Sequence, residues 1–445
     1  MVKAYIKELT RRAAEQGIAR LSFYLEESSG RNLVVFDGQP EKLEYSEQQL
    51  LFVEAEVEGY CGSTFIENFD MELIDEQLET MKEAAIARKK PFVAYEFPQL
   101  SAEDSAVSDW MPLNQLLEQL AEAEKAAYAA DARISKVQHC GCHESKHCIT
   151  LMDQDGNALS QNSEVGGFHL GVTAQEGNDL QLGGKGKTFL LNSYPDFVSL
   201  AKEAAESAVS KLGSSSYPTA ATPVVLDKAV VCELMDAFMP TFYGKNIQNH
   251  MSLLEGKLGQ SIAGENITIS EEPQMENGLV QRRFDDEAVL CTQKNLIEKG
   301  IFRSCLYNRQ SAAAAEVVSG GNGIKPSFSD EVETGYTNVL LHPGQKSREE
   351  LLQEMGNGLL ITSVSGTFAG ANAVSADFSL IAKGYRVENG QIGSGVTQIT
   401  VAGNFFEMLG RVRSIGNDLG NMYSRTGCVY GPSLYIEQLM ISGEE

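Results

Sequence analysis

Long apolar runs are missing from this sequence. No stretch approaches the ~18 consecutive apolar residues that a membrane-crossing helix needs, so no membrane span is expected. The opening residues, MVKAYIKELTRRAAEQGIARL, carry charges throughout and hold no apolar h-region, so no secretory leader is expected. Basic charge is scarce: 36 Lys and Arg face 61 Asp and Glu, a formal balance of −25. A surface this acidic repels a phosphate backbone, which argues against nucleic acid as a partner. No two of the eight cysteines stand in a C-x-x-C spacing, and they read as reduced thiols of a soluble, cytoplasmic protein.

What is present is ordinary globular composition, 42% hydrophobic and 22% charged over 445 residues, room for roughly two to four domains. Apolar positions at helical spacing open the chain at 3–19. The runs RLSFYLEES, NLVVFDG and LFVEAEVEGYCGSTFIENFD then alternate as strands separated by Gly-containing turns. MELIDEQLETMKEAAIARKK closes this unit as a helix, acids early and bases late, as the helix dipole prefers. The same order recurs: a helix at 113–131, strands from RISKVQHC to GKTFLLNS, and a helix at 196–213. The fold expected is α+β. Two helix–sheet–helix units (1–105 and 106–213) make the N-terminal half. A Gly/Ser/Thr/Pro linker at 214–225 leads to a mainly β region with short helices near 246–260 and 347–356 (226–445).

Four stretches invite chemical readings. HCGCHESKHC (139–148) contains His143-Glu144-Ser145-Lys146-His147, which satisfies the zinc-protease pattern H-E-x-x-H. That pattern needs a helix, which brings both imidazoles to one ion. Gly141 before it and the strand formers HCITLM after it predict a strand instead, with residues 143 and 147 about 13 Å apart. A bulge at Glu144-Ser145 would shorten the gap. His139, Cys140, Cys142 and Cys148 would be the further donors of a structural zinc site, but lack the usual spacing. QLGGKGKTF (181–189) has Gln181 where a phosphate loop needs Gly, and a strand where it needs a helix; a Gly-rich hairpin turn is expected. Asp285, Asp286 and Glu287 read as a solvated turn rather than an acid/base or metal cluster. SAAAAEVVSGGNG (311–323) reads as a closely packed helix or strand and a turn, with a lid as the alternative. His250 and His342 read as structural.

The C-terminal half resembles a known family. SLLEGKLGQSIAGENITISEEP (252–273), RRFDDEAVLCTQKNLIEKGIFRSCLYNRQSA (282–312), GYRVENGQIGSGVTQITVAGNFFEMLGRVRSIGNDL (384–419) and GPSLYIEQLMISG (431–443) are similar to the TldD/PmbA family. The resemblance implies a cytosolic two-subunit protease acting on unfolded or modified peptides, with an older description as a modulator of DNA gyrase. In that family TldD holds zinc on an H-E-x-x-x-H helix, with a cysteine near the C-terminus as a further ligand. PmbA (TldE) lacks those ligands. Aligned on SLLEGKLGQSIA, the zinc helix falls on 235–240, where Met235, Asp236 and Pro240 replace His, Glu and His. Cys428 falls near the family's cysteine without its partners, and H-E-x-x-x-H occurs nowhere in the chain.

The resemblance therefore points to a PmbA-like subunit that has no catalytic or metal-binding residues of its own and no cofactor. Zinc and its activated water would reside in a TldD-like partner. A homodimer is expected for the isolated chain. Two rivals remain: a stand-alone metalloprotease using His143, Glu144 and His147, and a non-proteolytic regulator or scaffold that binds a protein such as DNA gyrase.

Overall fold

The computed structural model describes residues 2–100, 108–424 and 426–444. The fold is α+β, and the helices and strands of its first half build one layered body. Helix α1 (Val2–Glu15) buries Tyr5, Leu9 and Ala13, spaced for one helical face. Strands β1 (Arg20–Phe36), β2 (Gln39–Val57) and β3 (Tyr60–Ile66) follow, then α2 (Ile74–Arg88). The second set is α3 (Leu113–Ala130), β4 (Ile134–Asp153), β5 (Ala158–Glu176), β6 (Asp179–Leu190) and α4 (Phe197–Val209). Asp196 caps α4 by accepting from Ser199 N at 3.1 Å.

The two units share one sheet. β1 pairs antiparallel with β4 from Ser22↔Asp153 to Val35↔Cys140, giving the order β3-β2-β1-β4-β5-β6. All four helices lie on one face. Phe23 and Leu25 meet the cluster that includes Tyr5 and Leu78, while Leu33 and Val35, in the same alternation, meet the cluster of α3 and α4.

Two sequence expectations change here. RLSFYLEES and NLVVFDG form the single strand β1, which runs straight through Gly30. QLGGKGKTF is no hairpin turn; it lies wholly within β6. Its glycines serve packing. A Cβ on Gly183 would stand 2.4 Å from Ala208 N and 2.5 Å from Ala204 O, so only glycine lets α4 approach this closely. Gly183→Ala is expected to lower stability by about 1–3 kcal/mol, read from the denaturation midpoint.

The second half is built around a ring of strands. β7 (Ala220–Leu226) occupies the latter part of the segment expected to be a linker; its Val224, Val225 and Leu226 are fully buried. α5 (Lys228–Phe238) follows, capped by Asp227, which accepts from Ala229 N at 3.1 Å. The expected helix at 246–260 is reduced to α6 (Gly244–Gln248), where His250 adopts φ 58° just past its end. Strands β8 (Ile269–Glu271), β9 (Lys294–Glu298) and β10 (Ile301–Phe302) come next, then α7 (Arg309–Ala314). β11 (Gly323–Ile324) and β12 (Glu333–Thr334) pair with each other, and β13 (Asn338–Leu341) pairs with β8. α8 (Arg348–Met355) matches its expected span and carries a capping box from Ser347 and Glu350.

The last long strands are β14 (Gly358–Ser365), β16 (Asp377–Glu388), β17 (Gln391–Asn404), β18 (Val412–Tyr423) and β19 (Cys428–Gly443), with the short β15 (Ala371–Asn372) pairing β16. β7 pairs β14, β14 pairs β16, β16 pairs β17, β17 pairs β19, and β19 pairs β7 again. That closure leaves no free edge among the five strands. α5 lies in the core with them, Phe238 stacked on Phe405 at 4.7 Å between ring centroids. No helix among the described residues is long and apolar enough to cross a membrane.

Candidate functional site

HESKH lies in the middle of β4, an extended strand with no bulge between residues 143 and 147. Side chains alternate faces along a strand. His143 and His147 therefore point away from the helices and Glu144 points toward them, so Glu144 cannot act on a water held between the two imidazoles. Glu144 is fully occupied elsewhere. It is 1% exposed, ion-paired with buried Arg31 directly across on β1, and accepts a hydrogen bond from Tyr194 Oη. The His143 ring lies over Gly167, and burial holds its pKa below the ordinary histidine range. His147 Nδ1 stands 3.6 Å from Glu26.

The neighbouring thiols do not converge on these histidines. Cys140 is buried under α3, its Sγ 3.4 Å from Leu120 O, and burial pushes its pKa up to about 12. Cys142 is buried on the same face, and half-buried Cys148 sits 3.9 Å from Thr150 Oγ1. His250 contacts Glu255 at 2.9 Å, and His342 Nε2 lies 2.9 Å from Ser270 Oγ.

The positions matching the family's zinc helix fall on α5 and just beyond it. Met235 is buried in the core, and α5 ends at Phe238, passing into a 3-10 turn (Met239–Phe242) that holds Pro240. Asp236 accepts a hydrogen bond from Tyr336 Oη. Cys428 opens β19, fully buried, its N–H donating to Thr337 O at 2.6 Å. The fold does bring Asp236 and Cys428 into electrostatic range. Burial first, and the Asp236 charge with it, push the Cys428 thiol up to about 12. Burial and the same carboxylate also raise the phenols of Tyr336 and Tyr243 well above the ordinary tyrosine range. The donor set is thus one carboxylate, one buried thiol, a thioether and phenols, with no imidazole. Zinc prefers imidazole nitrogen and thiolate sulfur, so this set does not fit it. Among the described residues no group of three or more His, Cys, Asp and Glu is placed to hold a metal ion.

The acids at 285–287 form a turn, but not a solvated one. Asp285 and Asp286 are buried. Asp285 accepts from Glu287 N and Val289 N at 2.9 Å and from Gly323 N at 2.7 Å. Burial, then Glu287, push its pKa up to about 7, against the pull of those amides. Asp286 accepts from Lys325 N at 2.8 Å and pairs with buried Arg282 at 3.3 Å. Lys325 lies with its Nζ 3.5 Å from the Phe52 ring centroid, and burial lowers its pKa to about 8. Tyr24, His147, Arg282, Asp286 and Lys325 surround a cavity of about 60 Å³ where the six-stranded sheet meets the second half. A wider polar groove of about 640 Å³ runs along the sheet past Ser28, Glu47, Gln48, His147 and Glu164.

The segment 311–323 starts within α7 and continues as a loop anchored by Asn322 up to Gly323, the first residue of β11. Asn322 Nδ2 donates to both carboxylate oxygens of Glu271 at 2.8 and 2.9 Å, and Lys294 Nζ reaches Glu271 at 2.6 Å. Glu271, Lys294 and Asn322 were not singled out from sequence. The signal was there: ISEEP and GGNG are polar runs at the ends of apolar ones, but their convergence depends on the tertiary fold.

The fold defines an α+β protein of two halves, in which a helix capped by Asp227 carries Met235 and Asp236 where the resemblance places zinc ligands. The comparisons agree with the architecture. A family model described as the PmbA/TldA metallopeptidase C-terminal domain matches residues 219–443, and one described as the central domain matches 109–212. The chain belongs to the PmbA/TldD family. Metalloprotease PmbA of Escherichia coli O157:H7 is 26% identical over 359 residues, 80% of this chain and 75% of that protein. A Thermotoga maritima structure described as a modulator of DNA gyrase aligns with TM-score 0.87 at 26% identity, covering 99% of this chain and 100% of that one. TldE from Thermococcus kodakarensis aligns with TM-score 0.88 at 19% identity over 99% of this chain and all of that one, a likeness of fold.

Proposed function

We propose that this chain is the PmbA/TldE-like, non-catalytic subunit of a cytoplasmic zinc metalloprotease assembly acting on unfolded or modified peptides. One observation carries the reading: α5 bears Met235 and Asp236, with Pro240 in the turn beyond, where the family's zinc helix bears His, Glu and His, and Asp236 is engaged by Tyr336. The zinc and its water then belong to a TldD-like partner. This chain contributes structure, and the acidic groove along the six-stranded sheet offers an extended peptide polar contacts. A second reading, a non-proteolytic regulator of a protein target, draws support from the description of the Thermotoga maritima relative. The stand-alone protease loses its support, because His143 and His147 lie on the opposite face of β4 from Glu144.

The test is metal content and association. After exhaustive dialysis the isolated chain is expected to retain less than about 0.1 zinc, and its mixture with a TldD-like chain to give a complex holding about one zinc per pair, since complete zinc sites bind near stoichiometrically. About one zinc per dialysed isolated chain contradicts the proposal.

A further inference from the structure

One histidine of the opening motif region has a partner that the motif itself does not include. β4 and β5 pair in regular register from His139↔Gly171 through Gly141↔His169 to His143↔Gly167, but the register slips between Val137 and His139. That bulge has a consequence for side-chain direction. Val137, Cys140 and Cys142 all face the helix-covered core. Without the extra residue, His139 would share the face of Val137. With it, His139 emerges on the helix-free face, diagonal to His169. The two rings have centroids 5.5 Å apart and planes inclined at 49°. The surroundings are bare: the direct cross-strand neighbours of His169 are Gly141 and Gly186, and that of His139 is Gly171. The His139 ring lies over Gly141, where a Cβ would stand 2.8 Å from Nε2. Both imidazoles are exposed to solvent.

We propose that His139 and His169 form an open two-imidazole site that binds a Cu²⁺ ion, its two protein ligands too few to hold zinc through dialysis. An imidazole ligating at about 2.0–2.1 Å puts its centroid about 3.2 Å from the ion, so two rings near the tetrahedral angle have centroids about 5.2 Å apart. The observed separation of 5.5 Å is close to that value. Neutral imidazole is the commonest side-chain metal ligand. His143 is diagonal to His169 on its other side, but its ring is turned onto Gly167, and His147 is turned toward Glu26. The site is therefore distinct from H-E-x-x-H and from the α5 region, and it is independent of the proposed protease role.

The probe is Cu²⁺, the divalent ion that nitrogen sites hold most strongly. Untagged full-length chain, stripped with chelator and exchanged into metal-free buffer, is titrated calorimetrically and followed by electron paramagnetic resonance. The expected result is about one ion per chain with nitrogen hyperfine structure. His139→Ala and His169→Ala are each expected to weaken binding by more than about tenfold, the loss that even outer-shell changes cause at metal sites. His143→Ala and His147→Ala are expected to bind as the parent does. His139, His143 and His169 are exposed and His147 is half-buried, and unchanged circular dichroism verifies folding. Failure of the parent chain to bind, or undiminished binding by both His139→Ala and His169→Ala, overturns the proposal.

Discussion

Glu144→Ala is expected to destabilise the six-stranded sheet by about 3–5 kcal/mol, the cost of leaving a buried charge without its partner. The Arg31 side chain is 6% exposed and that of Glu144 0%, and Tyr194 Oη also loses its acceptor. The guanidinium of Arg31 lies 5.2 Å from the ring of Trp110, the single tryptophan of the chain. Tryptophan fluorescence during urea unfolding therefore reads the loss where it occurs. Replacing both partners, Arg31→Met with Glu144→Leu, is expected to recover much of the stability, because no charge then stays buried alone. A general base in a zinc protease behaves oppositely: its removal abolishes turnover and leaves stability nearly unchanged. The stability measurement thus separates the two roles of Glu144 without an activity assay.

Glu271→Ala is expected to cost a similar ~3–5 kcal/mol in the second half of the chain. Glu271 is fully buried and receives Lys294, both contacts from Asn322, and Thr337 N at 2.9 Å. Its removal strands the Lys294 ammonium, which keeps only Gly320 O and Asn322 Oδ1, each at 3.0 Å. It also frees the loop that Asn322 ties to β8. Faster limited proteolysis within 315–323, together with a lower unfolding midpoint, is the combined signature to measure.

Much of the layout was legible in the sequence, for reasons visible in single elements. α3 and α4 announce themselves by apolar periodicity, and α8 by the Ser347–Glu350 capping box. What was not legible depends on partners distant in sequence. Gly30 and Gly183 look like turn residues, yet each sits inside a long strand, and Gly183 exists for the approach of α4. Asp285 and Asp286 look solvated by composition, but the backbone amides that satisfy them come partly from Gly323 and Lys325, almost forty residues on. TPVVL at the end of the supposed linker is β-branched and apolar, and it became β7 because β14 and β19 flank it. At the candidate site, the missing imidazoles of α5 were readable from residue identity alone. The convergence of Asp236, Tyr336 and Cys428 was not, since they lie on α5, in the loop before β13 and at the start of β19, about a hundred residues apart from one to the next.

The central claim is that this chain contributes to proteolysis without carrying the catalytic metal. Its most direct test is cleavage of a fluorogenic unstructured peptide by the chain alone, by a TldD-like chain alone, and by the two mixed. The account predicts no cleavage by this chain at any concentration and chelator-sensitive cleavage in the mixture. Chelator-sensitive cleavage by this chain alone would contradict it.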